Sequence, residues 1–323
     1  MKRWSSKDLE ILAPPADGKT GEGIFTFSDR YSVFDFGIMP DEIPGKGAAA
    51  TAMAVKSFAL FAAAGIETHF LEQVADNAIR VRLLDVDLDG RADRTGAGGM
   101  IPLQVVYRAA LPRESSVHRR LAAGRLDPGL VPAWSTAGRP WLGETMVEFT
   151  TKFEETDRFV TREEAAVVGR VSAADLDEVI ATTRRVTRVL ARHCAAVGLE
   201  LVDGKAEYGF DGHRGLILID HAGTPDENRF YRDGIPVCKE LLRFLHPGLR
   251  EVVQAGVRQG LPRDRWPRPD PLAPDVVAAT STVYRALAAV WTQGSPAALD
   301  TLSTAVRDFL DATGAHLSER TGL

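Results

Sequence analysis

An α+β protein of two lobes, a small β-rich N-terminal lobe followed by a larger α/β lobe, is the fold class this sequence predicts. Turn-punctuated apolar runs that read as hairpins occur in both halves of the chain, over 67–85 and 199–219, and stretches of helical periodicity stand between and after them. With 323 residues, 45% of them hydrophobic and 26% charged, the chain is long enough for two lobes with a sizeable core. The expected divisions are the β-rich lobe over 1–90, the α/β lobe over 91–294 and a C-terminal helix over 295–323.

Composition narrows the function. A net charge of −5 lacks the basic face of a general nucleic-acid binder. Residues 1–10 are polar, unlike a signal peptide, and no apolar run approaches the ~20 residues of a membrane span. A cytoplasmic protein acting on small molecules is expected. Cys194 and Cys238 each fall in a helical pattern and read as buried thiols of a reducing compartment.

Taken in order, the first motif is ambiguous. APPADGKT at 13–20 matches a loose P-loop pattern, and LILID at 216–220 mimics a Walker B strand. A P-loop needs a helix directly after Lys19-Thr20, whose amides hold phosphate. Gly21-Glu22-Gly23 and a strand-like run follow instead. IPGKG at 43–47 then offers two glycines that let backbone amides approach an anion, with Lys46 as a point charge. A helix over 48–64 should follow, burying Met53, Phe58 and Phe61 and closing at Gly65. Residues 67–85 predict two strands, and 87–99, rich in Asp, Arg and Gly, a loop between the lobes. MIPLQVVYR at 100–108 reads as another strand, and 121–139 as a surface excursion.

A helix is expected over 172–197, capped by Ser172 with Asp175, striped by Leu176, Val179, Ile180, Val186, Leu190 and Val197, and ended by Gly198. His193 on it has a structural role. Three apolar runs follow, 199–202, 206–210 and 216–219, separated by Asp203-Gly204 and by Asp211–Gly215, and predict a three-stranded meander. Glu207 on the middle strand and Asp220 at the end of the third can share one Mg²⁺, a cation that takes oxygen ligands and is completed by substrate phosphates. Lys205, Arg229 and the turn at 224–226 supply anion-binding groups nearby. Lys239 and Arg243, at i and i+4, share a helix face. Ser295-Pro296 opens a last helix with Leu299, Leu302, Val306 and Phe309 inward, packed on the body or on a second copy in a homo-oligomer.

LVDGKAEYG at 201–209 resembles the strand signature of SAICAR synthetase, the ATP-using purine-pathway ligase that joins aspartate to a carboxyaminoimidazole ribonucleotide; the family has Phe where Tyr208 stands. The resemblance runs from Gly18 to Trp291. DRYSVFD at 29–35, with Ser32 and Asp35, is similar to the family's DRxSAFD, and IPGKG matches its loop through Gly45, Lys46 and Gly47. It implies the same two-lobed fold with ATP in the cleft between lobes. Gly18-Lys19 would start the glycine-rich hairpin that covers ATP, although Gly21 replaces a second Lys and the hairpin is shorter. Glu207 and Asp220 fall on metal ligands, with Lys205 beside the nucleotide. Asp226 and Arg229, in TPDENRF, fall on substrate-nucleotide contacts. Arg108, Ser116 and Arg120 are counterparts in an altered Gly-Ser loop, Lys152 in TKFEETD is a cation beside the substrates, and Lys239 and Arg243 match a basic pair.

The chemistry implied is ATP- and Mg²⁺-dependent amide formation through an acyl phosphate, with Lys46, Lys152 and Asp220 as the catalytic set. Two departures stand out: His221 replaces a Glu after Asp220, and Gln104 replaces another Glu. Three outcomes stay open: a divergent SAICAR synthetase, a paralogue in specialised nucleoside synthesis using another azole carboxylate or amine, and a nucleotide-binding scaffold without turnover.

Overall fold

The computed structural model describes residues 1–16, 19–86, 99–154 and 157–314. The expected loop at 87–99 lies, apart from Gly99, outside the described residues, as does Gly18. The fold is α+β, as the sequence predicts. β1 (Lys2–Arg3), β2 (Lys7–Ala13), β3 (Gly21–Phe27), β4 (Phe70–Ala75) and β5 (Ala78–Leu83) form an antiparallel sheet in the order β1-β2-β3-β5-β4. β2 and β3 are one hairpin, with Lys7 opposite Phe27 and Ala13 opposite Glu22. The P-loop alternative ends there, because a strand rather than a helix follows Thr20.

The second sheet contains β6 (Gly99–Met100), β7 (Leu103–Ala110), β8 (Trp141–Thr151), β9 (Phe159–Val160), β10 (Glu200–Phe210), β11 (Leu216–Ile219), β12 (Asn228–Arg232) and β13 (Ile235–Pro236). β10 is its axis. Its first half pairs with β7 and β12, and its second half with β6 and β11, all antiparallel. The predicted turn at Asp203-Gly204 is therefore absent, since β10 passes through it without a reversal and only a register shift between Leu201 and Asp203 marks the place. The glycine serves close packing: a Cβ on Gly204 would lie 2.2 Å from Asn228 Nδ2 and 2.5 Å from Tyr107 Oη. The second predicted turn forms, with Asp211 Oδ1 accepting from the amides of His213 and Gly215.

α1 (Lys46–Ala63) starts at the glycine loop and ends before Gly65, whose φ is +65°. It packs on α7 (Pro274–Gln293), β3 and α4 (Ala173–Ala196), with the short helices α2 (Ser116–Ala122), α3 (Arg162–Gly169), α5 (Glu240–Phe244) and α6 (Leu249–Arg258) at the periphery. α4 has the predicted capping box of Ser172 and Asp175 and buries Leu176, Val179, Val186 and Leu190 against the sheet. α8 (Pro296–Thr313) lies on α7, burying Leu302, Val306 and Phe309. One apolar core draws on both sheets and on α1, α4, α7 and α8. The sheets are also stitched directly: Leu218 exchanges backbone hydrogen bonds with Glu67 and His69, at 2.9 and 3.0 Å. Both cysteines are buried and free, His193 bonds the Trp291 carbonyl at 2.8 Å, and no helix among the described residues is long and apolar enough to cross a membrane.

Candidate active site

Because side chains alternate along a strand, Asp203, Lys205 and Glu207 of β10 share one face, while Ala206 and Tyr208 turn back toward the core, where Tyr208 meets Thr183 of α4 at 2.9 Å. Two cavities lie along that polar face. The first, about 490 Å³, is lined by Lys7, Leu9, Phe25, His69, Leu83, Met100, Lys152, Glu207, Ile219 and Asp220. The second, about 530 Å³, is lined by Ser32, Asp35, Arg108, Ser116, Asp203, Asp226, Arg229, Lys239 and Arg243. Gln104, Lys205 and Glu227 line both, so the cavities meet at that wall.

In the first cavity each carboxylate carries an ammonium. Lys152 donates to Glu207 and Lys7 donates to Asp220. Burial, reinforced by Asp220, raises the Glu207 carboxyl. Burial also opposes ionisation of Asp220, but the Lys7 and Lys152 ammoniums, joined by His221 only in its protonated form, outweigh it and hold the carboxyl well below its usual range. Burial pushes the His221 imidazole down, which favours the neutral ring. Asp220 has φ +65°, and His69 bonds its carbonyl at 2.8 Å, fixing the turn that presents the carboxylate. On the shared wall, Glu227 raises the Lys205 ammonium, which donates to Gln104 at 3.3 Å.

The second cavity rests on an ion-pair network. Asp203 accepts both Nε and Nη2 of Arg229 and, at 3.1 Å, Nη1 of Arg108. Arg108 also donates to Glu148 at 2.9 Å. Burial pushes the Lys239 ammonium down despite nearby Asp226. Asp157, on the same wall, stays exposed, and the partial loss of solvent there, with Asp35 adding to it, raises its carboxyl.

Several expected residues sit elsewhere than the sequence implied. Lys19 is exposed at the β2–β3 tip, bridged through its backbone to Ala16, and lines neither cavity; Lys7, at the base of that hairpin, takes the place beside Asp220. The strand pairing of Lys7 with Phe27 is the signal that locates it. Lys46 is 1% exposed and reaches the site only through Asp226, 2.6 Å away. The amides of Gly45 and Gly47 do not face open space, because Asp29 accepts from them at 3.1 and 2.9 Å. Gly47 is needed for packing, since a Cβ there would lie 2.4 Å from the Phe27 carbonyl oxygen. Arg120 turns to Glu148 and stacks over Phe159, 3.7 Å from the ring centroid, and Arg119 lines the cavity instead. Glu207 and Asp220 share the first cavity, yet the carboxylate grouped with Asp220 and His221 is Glu227, a residue sequence reasoning missed.

Residues 17–241 match the family model of SAICAR synthetase. The chain belongs to the SAICAR synthetase family. As a member it is an ATP-dependent ligase. It is 34% identical over 304 residues to a putative phosphoribosylaminoimidazole-succinocarboxamide synthase of Archaeoglobus fulgidus, with 87% of this chain and 91% of that protein covered. The corresponding synthase of Thermoplasma volcanium is 30% identical, covering 81% of this chain and 90% of the other. Among solved structures, the Saccharomyces cerevisiae SAICAR synthase complexed with SAICAR is similar in fold, with a TM-score of 0.64, 19% identity, and 90% and 93% of the two chains covered. A SAICAR synthetase in complex with ADP has a TM-score of 0.59 and 24% identity over 83% of this chain and 98% of the other. These likenesses fix the SAICAR synthetase fold, with its β-rich N-terminal lobe and larger second lobe.

Proposed function

We propose that this SAICAR synthetase family member joins the carboxylate of a carboxyaminoimidazole ribonucleotide to the amine of L-aspartate in the cytoplasm, using ATP. The observation that carries the proposal is the pair of cavities meeting at Gln104, Lys205 and Glu227. The first has apolar walls for a nucleoside, from Leu9, Phe25, Leu83 and Met100, and Lys7 and Lys152 for its phosphates. The second presents Arg108, Arg229, Lys239 and Arg243, which suit a phosphorylated sugar and the carboxylates of an amino acid. The nucleotide cavity also suits a divalent cation such as Mg²⁺, because Asp220, Glu207 and Glu227 bring oxygen donors to it, the first two now paired with lysine ammoniums. When bound there, Mg²⁺ supplies positive charge next to the transferring phosphoryl group.

The chain's own residues divide the remaining work. A carboxylate oxygen of the ribonucleotide attacks the γ-phosphorus as the bond to the β-phosphate oxygen breaks and ADP leaves. Lys7 and Lys152 offset the charge on that group. Lys205, held charged at the junction, meets the acyl phosphate. The amine nitrogen then attacks the acyl carbon, the bond to phosphate oxygen breaks, inorganic phosphate leaves, and the amine proton passes to Asp157, a carboxylate that lines the second cavity with Gln104 and Lys205. Lys46 acts at one remove, fixing Asp226 in the wall of the second cavity.

The test is purified protein with ATP, Mg²⁺ and the imidazole carboxylate, with and without aspartate, following ADP release and product mass. ADP and succinocarboxamide product should appear in equal amounts only when both substrates are present. ADP release indifferent to aspartate, or restored only by another amine, would overturn the assignment.

A further inference from the structure

His221 stands beside Asp220 in surroundings that position an imidazole ring. Its side chain is 2% exposed, its Nδ1 lies 2.9 Å from Thr224 Oγ1, and the Phe27 ring packs against it edge-on at 5.2 Å between centroids. Nδ1 is taken by Thr224, and Nε2 lies 3.4 Å from Asp220 Oδ1. The turn that carries both residues is clamped on α1. Gly223 donates to Asn228 Oδ1 at 2.7 Å, and a Cβ on it would come within 2.2 Å of Ser57 Oγ.

Donor atoms of Asp220, His221 and Glu227 all lie within 4.8 Å of one another. Two ligands of one ion, each at ~2.1 Å, stand roughly 3.0–3.5 Å apart in octahedral or tetrahedral geometry, so Asp220 Oδ1 and His221 Nε2 are already at ligand spacing. The Lys7 ammonium now pairs with that same Oδ1 and would give way to an ion bound there. Mg²⁺ favours an all-oxygen shell, whereas imidazole nitrogen suits first-row transition ions.

We propose that the divalent ion accompanying ATP is held by a mixed set, Asp220, His221 Nε2 and Glu227, and that this set selects Mn²⁺ over Mg²⁺. The proposal rests on the assignment of the first cavity to nucleotide. The Thr224 hydroxyl is the outer partner that orients the ring, the role such partners take at histidine metal sites.

The experiment uses the full chain with Mn²⁺ and ADP, prepared with natural-abundance or ¹⁵N-labelled histidine, and pulsed electron paramagnetic resonance of the ion. Wild type should show ¹⁴N modulation that moves to ¹⁵N frequencies with the label and disappears in His221→Gln. By calorimetry, the preference for Mn²⁺ over Mg²⁺ should fall about tenfold or more in His221→Glu. Should the His221 variants fold poorly, Thr224→Val keeps the side-chain volume and should weaken Mn²⁺ binding roughly 10–100-fold through loss of the ring's partner. Mn²⁺ bound with ADP but without histidine coupling would overturn the mixed ligand set and leave the nucleotide assignment standing. Failure of Mn²⁺ to bind in the presence of ADP would overturn both.

Discussion

Lys46→Met should unpair Asp226. The two side chains are 1% and 5% exposed and their charged atoms are 2.6 Å apart, so truncating the ammonium strands a carboxylate where water cannot replace it. Removing one partner of a buried ion pair costs ~3–5 kcal/mol, and the swap of one long side chain for another adds under ~1.5 kcal/mol. Lys239 also stabilises the Asp226 carboxylate, which puts the expected loss near the lower end, about 3 kcal/mol. With a urea m-value of ~3 kcal/mol/M for a chain of this size, the unfolding midpoint should fall by about 1 M. The double variant Lys46→Met/Asp226→Asn should recover most of that.

The pH dependence has a definite sign. Burial opposes the Asp226 charge, but Lys46 and Lys239 lower its pKa below the unfolded value, so this contribution is present above the unfolded carboxylate pKa of ~3.9 and is lost as pH falls through the folded one. In Lys46→Met burial is opposed chiefly by Lys239, and the folded pKa moves up. The deficit relative to wild type should therefore be largest near pH 7 and shrink toward pH 4. A midpoint shift under ~0.3 M at pH 7, or a deficit constant from pH 7 to 4.5, would refute the reasoning.

Three further outcomes are expected. Lys7→Ala should weaken ADP binding at least about tenfold, the scale of a charge-assisted hydrogen bond, while Lys19→Ala leaves it within about twofold; calorimetry giving the reverse order would return the nucleotide contact to the hairpin tip. Arg229→Ala should lower stability by ~3 kcal/mol because Asp203 keeps only Arg108 as an ion-pair partner, and should weaken ribonucleotide binding under conditions where the variant is folded; urea curves matching wild type would show that Arg229 serves ligand alone. Gly204→Ala should cost ~1–3 kcal/mol by pushing a methyl into Tyr107 and Asn228, and an unchanged melting temperature would contradict that packing.

What the sequence made legible was local. The Ser172 and Asp175 capping box, the Gly65 and Gly198 helix ends and the Asp211–Gly215 turn are each encoded within a few residues, and they fall where patterning puts them. Asp203-Gly204 has turn chemistry too, yet here the carboxylate is taken by Arg108 and Arg229 and the bare Cα by Tyr107, all distant in sequence. The glycine loop at 43–47 likewise reads as an open anion site until Asp29 is seen to cap it and Asp226 to hold Lys46. Lys19 stands in a Gly-Lys dipeptide, whereas Lys7 belongs to no motif and takes its position from its strand partner. The family motifs carried the identity. Which member of each motif faces a cavity depended on partners that the motifs do not contain.

The alternation of Asp203, Lys205 and Glu207 along β10 also limits how this enzyme can diverge. A strand repeats every two residues, so deletion or insertion of one residue upstream within β10 would send all three into the apolar core together and bring the core side chains out. The site cannot be lost or remodelled by degrees through length changes in that strand. Variation is better borne as point substitutions at those three positions or through the segments that flank them, which makes β10 the part of the molecule least tolerant of a change in length.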